Sequence, residues 1–225
     1  MIELKNTGFT YGGRDILSEA SLRLMPGSFH FLTGPSGSGK TTLLKLCYVA
    51  LLPTSGIVRV FDQDVRTMER DDVARLRRRV GVVHQDCQFL DHLSVRENVA
   101  LPLAVSGRET ELGDGSIDDL LGWVGLTDQA ASLPPELSGG ERQRAALARA
   151  IIMSPDLILA DEPTGNVDWE MGQRLLSLLL ELNKMGKTVL VATHDLNLIR
   201  AAKAEGSARV LRLRDAQLQA AGADL

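Results

Sequence analysis

One octapeptide, Gly34-Pro35-Ser36-Gly37-Ser38-Gly39-Lys40-Thr41, meets the spacing G-x-x-x-x-G-K followed by Ser or Thr in full. Its chemistry is phosphate capture. Glycines let backbone amides curl around phosphate oxygens, and a helix starting at Lys40 adds its positive end. Lys40 is expected to reach the β- and γ-phosphates and the Thr41 hydroxyl to ligate Mg²⁺, with Thr42 continuing the run. A second chemical element is Asp161-Glu162, at the end of the apolar run Leu157-Ile158-Leu159-Ala160. Alone, such an acidic pair is an ordinary solvated loop. Beside a phosphate loop, Asp161 suits the hydration shell of Mg²⁺, and Glu162 suits the task of orienting and deprotonating an attacking water. His194 ends another apolar run, Thr188 to Thr193, and from there would contact a γ-phosphate. The implied ligands are a nucleotide and Mg²⁺.

A third element, Leu137-Ser138-Gly139-Gly140-Glu141, begins as a helix start, because Ser138 and Glu141 form a capping box. A helix start alone does not explain consecutive glycines in the first turn, which cost about 1 kcal/mol each against alanine. Bare backbone at a helix N-terminus suits the close approach of an anion. Since the chain already has a phosphate loop, this second contact would serve a nucleotide held by a partner subunit.

These residues must be held by a scaffold, and the hydropathy pattern describes one. Phe29–Thr33, Val80–Val83, Leu157–Ala160 and Thr188–Thr193 are short, continuous apolar runs separated by helical patterns. Strands of that kind are buried on both faces, in a parallel sheet between helices, and their chemistry gathers beyond the carboxyl ends. A helix is expected over Lys40–Leu52, stopped by Pro53. Residues 1–28 and Ser55–Asp64 alternate and carry turn signals, predicting antiparallel strands. Residues 87 to about 153 read as helices: Ser94 and Glu97 make a capping box, Asp114-Gly115-Ser116 caps Ile117–Val124, and Pro134-Pro135 precedes a further helix. The run Arg75, Arg77, Arg78, Arg79 reads as a solvated face diluted by Asp71 and Asp72.

Composition narrows the remaining classes. The 225 residues are 44% hydrophobic and 24% charged, with a net charge of −4. That range excludes disordered and low-complexity classes, and the acidic balance argues against nucleic acid as a partner. No apolar run approaches the ~20 residues of a membrane-spanning helix. Met1–Asn6 carries charge where a secretory leader needs an apolar stretch. Cys47 and Cys87 lack metal-ligand spacing and read as free thiols of a reducing compartment. A cytoplasmic location is expected, with any membrane role coming through a partner.

Taken together, these motifs resemble the ATP-binding subunits of ABC transporters over the whole length, with five motifs in the family's order. The resemblance implies a P-loop NTPase core of α/β class with a mostly parallel sheet, an antiparallel β sub-domain and a helical sub-domain. One ATP-binding domain, 1–225, would comprise a nucleotide-binding core of 1–86 and 154–225 and a helical signature sub-domain of 87–153. It further implies that Tyr11 stacks on adenine, that Gln85 touches Mg²⁺ and relays nucleotide state to a membrane subunit, and that Leu137 to Glu141 completes the site of the opposite protomer in a head-to-tail homodimer. Gly165-Asn166-Val167-Asp168 would cross the dimer interface, and His194 would be the switch histidine. Arg142 departs from the usual glutamine and Val167 from the usual leucine. Within the family the likeness is to subunits that act in cell division with a polytopic FtsX-type membrane partner, regulate cell-wall hydrolases and contact cytosolic division proteins. Lipoprotein-release and macrolide-export ATPases share much of the pattern. A nucleotide-dependent division scaffold with little turnover is the alternative from another class, and Glu162 argues against it.

Overall fold

The computed structural model describes residues 1–108, 116–165, 167–206 and 208–220. The apolar runs become four adjacent strands of a six-stranded sheet ordered β10-β9-β3-β8-β7-β6, with Val80–Val83 at its edge. The six are β3 (Phe29–Thr33), β6 (Val80–Val83), β7 (Leu157–Asp161), β8 (Thr188–Ala192), β9 (Arg209–Arg214) and β10 (Gln217–Ala220). All pairs are parallel except the β9–β10 hairpin. Register sets Phe29 beside Val189 and Leu157 beside Thr188, so the carboxyl ends of β3, β8 and β7 lie side by side. That alignment is what positions the site.

Every residue of β3, β7 and β8 is buried, and their side chains alternate between two cores. Leu32, Leu159 and Leu190 face a second sheet, ordered β2-β1-β4-β5 and wholly antiparallel. It consists of β1 (Ile2–Tyr11), β2 (Arg14–Leu24), β4 (Ser55–Val60) and β5 (Gln63–Asp64). On the other face, Phe31, Ile158 and Val191 pack among the apolar sides of α5 (Gly139–Ile151), α6 (Trp169–Lys184) and α7 (Leu196–Glu205). A third core joins α3 (Val95–Ser106), α4 (Ser116–Trp123) and α5 through Val99, Leu121 and Ala145. Burial of a Leu or Val side chain stabilises by about 1.5–3 kcal/mol, so each core is a substantial clamp. No helix among the described residues is long and apolar enough to cross a membrane.

Two expectations need correction, for a shared reason. The helix expected over Lys40–Leu52 is α1, Lys40–Cys47, and the chain then turns left-handed at Val49 (φ 60°). A β-branched residue resists that conformation. Arg77, from α2 (Arg70–Arg78), offsets the cost by donating to the carbonyls of Tyr48 at 3.3 Å and Val49 at 2.9 Å, which the helix end leaves free. The arginine run is therefore not merely a solvated face. Arg79, too, lies 3.7 Å above the Phe61 ring and pairs with Asp156 at 2.7 Å. The capping boxes at Ser94 and Ser138 form as read. The helix expected over Ile117–Val124 spans Ser116–Trp123, while Asp114, Gly115 and Asn166 lie outside the described residues.

Candidate active site

Phosphate-loop residues emerge from β3 and enter α1 at Lys40, with Gly39 at φ 103°, a conformation open to glycine. Gly34 meets a different demand: a Cβ there would stand 2.3 Å from the Leu213 carbonyl of β9. The loop and the ends of β7 and β8 enclose a cavity of about 510 Å³, within the usual range of ligand sites. Pro35, Ser36, Gly37, Lys40, Thr41 and Thr42 line it, as do Gln85, Asp161, Glu162 and His194.

Glu162 is the centre of the arrangement. It is 8% exposed, and its Oε1 stands 3.4 Å from Lys40 Nζ. Its Oε2 lies 3.0 Å from His194 Nδ1 and accepts from the His194 amide at 3.3 Å. The backbone at Glu162 is left-handed (φ 47°), and its amide donates to the Ala192 carbonyl at 2.8 Å. A non-glycine residue held so is strained, and strain of this kind collects at functional sites. Here it turns the carboxylate off the strand end toward the phosphate loop.

Lys40, 7% exposed, donates to its own loop's carbonyls, Gly34 O at 2.9 Å and Pro35 O at 3.2 Å. Asp161 receives a hydrogen bond from the Thr41 hydroxyl, and burial, the foremost cause, holds its carboxyl above the usual aspartate range. Its Oδ1 is buried without a partner, as is Ser38 Oγ. Buried orphans of this kind call for a ligand. Among the described residues no three His, Cys, Asp or Glu groups gather to cage a metal. A hydroxyl and one carboxylate beside a phosphate cradle fit Mg²⁺, which keeps waters and shares phosphate oxygens instead of filling an all-protein cage. The residues present therefore fit the ion.

The remaining expected residues lie apart. Ser138, Gly139, Gly140 and Glu141 sit at the exposed tip of α5 and do not line the cavity. There Ser138 accepts from the Glu141 amide at 3.3 Å and donates to its carboxylate at 2.7 Å. Those bonds lower the Glu141 pKa. Gly140 has a packing reason as well, because a Cβ would meet Met171 Cγ at 2.7 Å. Asp168 caps α6, accepting from the Met171 amide at 2.8 Å. Tyr11 ends β1 half exposed, edge-on to Phe9, and Ile16 of β2 lines the cavity nearby. Sequence reading missed Ile16, which carries no signal beyond strand alternation. It also missed Gln143, whose side chain donates to the Gln85 carbonyl at 3.3 Å and so ties α5 to the cavity wall.

With this geometry in hand, likeness to known proteins is informative. The family model described as ABC transporter matches residues 17–165. The cell division ATP-binding protein FtsE of Escherichia coli K12 is 40% identical over 219 residues, 97% of each chain. The lipoprotein-releasing system ATP-binding protein LolD 1 of Rhodopirellula baltica is 43% identical over 185 residues, 81% of each. Among solved structures, a dimeric post-hydrolysis state of the ATP-binding cassette MJ0796 bound to ADP and Pi superposes with a TM-score of 0.84 at 32% identity, covering 98% of both chains. The family match spans well over half the sequence and encloses the loop, Gln85, the α5 tip and the Asp161–Glu162 strand end. The chain belongs to the ABC transporter family, as one of its ATP-binding, ATP-hydrolysing subunits.

Proposed function

We propose that the chain hydrolyses MgATP between two copies in a head-to-tail homodimer and couples that cycle to a polytopic FtsX-type membrane subunit in cell division. The observation that carries the hydrolytic reading is Glu162, a buried carboxylate fixed between Lys40 and His194 beside the phosphate loop. One copy supplies Tyr11, Gly34 to Thr42, Gln85, Asp161, Glu162 and His194; the other supplies Ser138, Gly139, Gly140 and Glu141 at its α5 tip. Asp168 lies on the interface. The division into a core of 1–86 and 154–225 and a helical sub-domain of 87–153 belongs to this reading.

The chemistry follows from the contacts. An arriving triphosphate competes for Lys40 Nζ, drawing it from the Gly34 and Pro35 carbonyls and from Glu162. Glu162 Oε1 is then free to accept a proton from water, while Oε2 stays fixed by His194 Nδ1, which donates to it. The water oxygen forms the new bond to the γ-phosphorus as the bond to the β-bridging oxygen breaks, giving ADP and phosphate. Thr41 and Asp161, with Gln85 beside them, would hold Mg²⁺, which supplies charge neutralisation for the phosphates. Amides at the partner's α5 tip offer further donors to the γ-phosphate.

For the membrane partner, a cleft of about 550 Å³ separates α2 and β6 from α3 and α5, with Gln88, Leu101 and Arg149 on its walls and Val105, 80% exposed, at its edge. An amphipathic helix from a membrane subunit fits such a cleft. Likeness to a lipoprotein-releasing subunit supports a second reading, in which the partner is an export-type membrane protein. The location that accompanies both readings is the inner face of the cell membrane, held there by the partner.

The test is Glu162→Gln in the full-length chain. It is expected to bind ATP and dimerise while phosphate release falls by on the order of 10²–10⁴-fold. Undiminished release contradicts the base assignment. Affinity purification of that ATP-locked variant from membranes, followed by identification of the polytopic protein retained, decides between the two partners.

A further inference from the structure

A second cavity, of about 530 Å³, lies at the other end of β3 from the phosphate loop and shares no residue with the active site. Its walls come from β2, β3, β9, β10 and the end of α7. Arg23, His30, Lys203 and Arg209 line it, and among the described residues no Asp or Glu does. In a chain of net charge −4, that is a local reversal of sign. Arg23 and Arg209 make no ion pair or side-chain hydrogen bond among the described residues.

His30 makes the cavity more than a basic patch. It stands in a strand whose other members are Phe29, Phe31, Leu32 and Thr33, and it is 3% exposed. Its Nδ1 is buried with no hydrogen-bond partner. Burial first, and then the nearby Arg209 charge, lower its pKa to about 4, so the ring is neutral at physiological pH and carries a single N–H. A leucine would fill the same strand position without leaving a polar atom unmatched. The imidazole is explained if something in the cavity completes it.

We propose that this cavity is a phosphate-binding site separate from the triphosphate loop, in which Arg23 and Arg209 flank the anion and His30 donates to it from Nδ1. Guanidinium groups match phosphate oxygens in charge and fork geometry. A neutral N–H on a residue of the cavity wall adds a donor that needs no counter-charge when the site empties. The chemistry is shared by a soluble phosphate compound and by a lipid phosphomonoester headgroup, and the reading is independent of how ATP is hydrolysed.

The experiment follows the His30 ring nitrogens by NMR in the full-length protein carrying Lys40→Ala, which weakens phosphate binding at the triphosphate loop. Inorganic phosphate is the first probe and vesicles containing phosphatidic acid the second, each against sodium chloride of matched ionic strength. A saturable shift with free phosphate assigns the soluble source; a shift with vesicles alone assigns the headgroup. In either case Arg209→Ala should weaken the response at least tenfold. His30→Leu should remain folded and retain ATP turnover in an otherwise unmodified chain, while losing retention on the probe that shifted the ring. No shift with either probe, or the same drift with sodium chloride, overturns the proposal. So does an undiminished response in Arg209→Ala.

Discussion

The strand ends and the α5 tip, both proposed to meet phosphate, are built in opposite ways. At the strand ends, Glu162 and Lys40 are 8% and 7% exposed, and each is engaged within its own chain. At the α5 tip, Ser138 and Gly139 are open to solvent, and the capping box has already satisfied what one copy needs from them. A buried, strained carboxylate is prepared for a reaction. A capped, exposed helix end, bare of side chains, is prepared for a visitor. On the proposed two-copy reading, the difference makes one copy complete as a binder and incomplete as a catalyst.

The largest expected effect tests that difference directly. Ser138→Arg places a bulky cation on the tip and should lower phosphate release by about 10²-fold, the scale of losing one oxyanion donor, without changing ATP affinity of the single copy. Mixed with Glu162→Gln, it should recover a sizeable fraction of activity, because each mixed dimer then holds one intact site. No recovery on mixing breaks the comparison. Next in size is Lys40→Ala, expected to weaken ATP binding by about 10–100-fold through loss of a charge-assisted contact. Calorimetry on the isolated chain reads it, and unchanged affinity removes Lys40 from the nucleotide.

A smaller effect concerns stability. Because burial raises the Asp161 pKa in the folded chain, the folded state takes up a proton more readily than the unfolded one. Without Mg²⁺, stability should therefore rise as pH falls from the raised value toward the ordinary aspartate range. Asp161→Asn should unfold at a higher temperature at neutral pH, flatten that slope and hydrolyse poorly. Thermal unfolding against pH measures both. The smallest is Asp168→Ala, which removes the α6 cap and should cost about 1 kcal/mol, read from urea unfolding.

How much of this was legible in the sequence depended on where the determining force lies. The phosphate loop, the Asp161–Glu162 strand end and the His194 strand end announce themselves, because continuous apolar runs and glycine spacing are local signals. The antiparallel sheet and the helical stretch were equally readable from alternation and caps. The end of α1 was not. Arg77, some thirty positions further on, satisfies the Tyr48 and Val49 carbonyls that lie beyond the helix end. The β9–β10 hairpin escaped as well, since its Arg-rich alternation resembles a solvated edge until Leu211 and Leu213 find the first core. Nor does any residue type announce the left-handed turn at Glu162, which the Ala192 carbonyl and the packing of two strands impose.

The contact between Lys40 and Glu162 has one more consequence. In the proposed cycle a single ammonium answers to both the fuel and the base, so loading the one would unlatch the other.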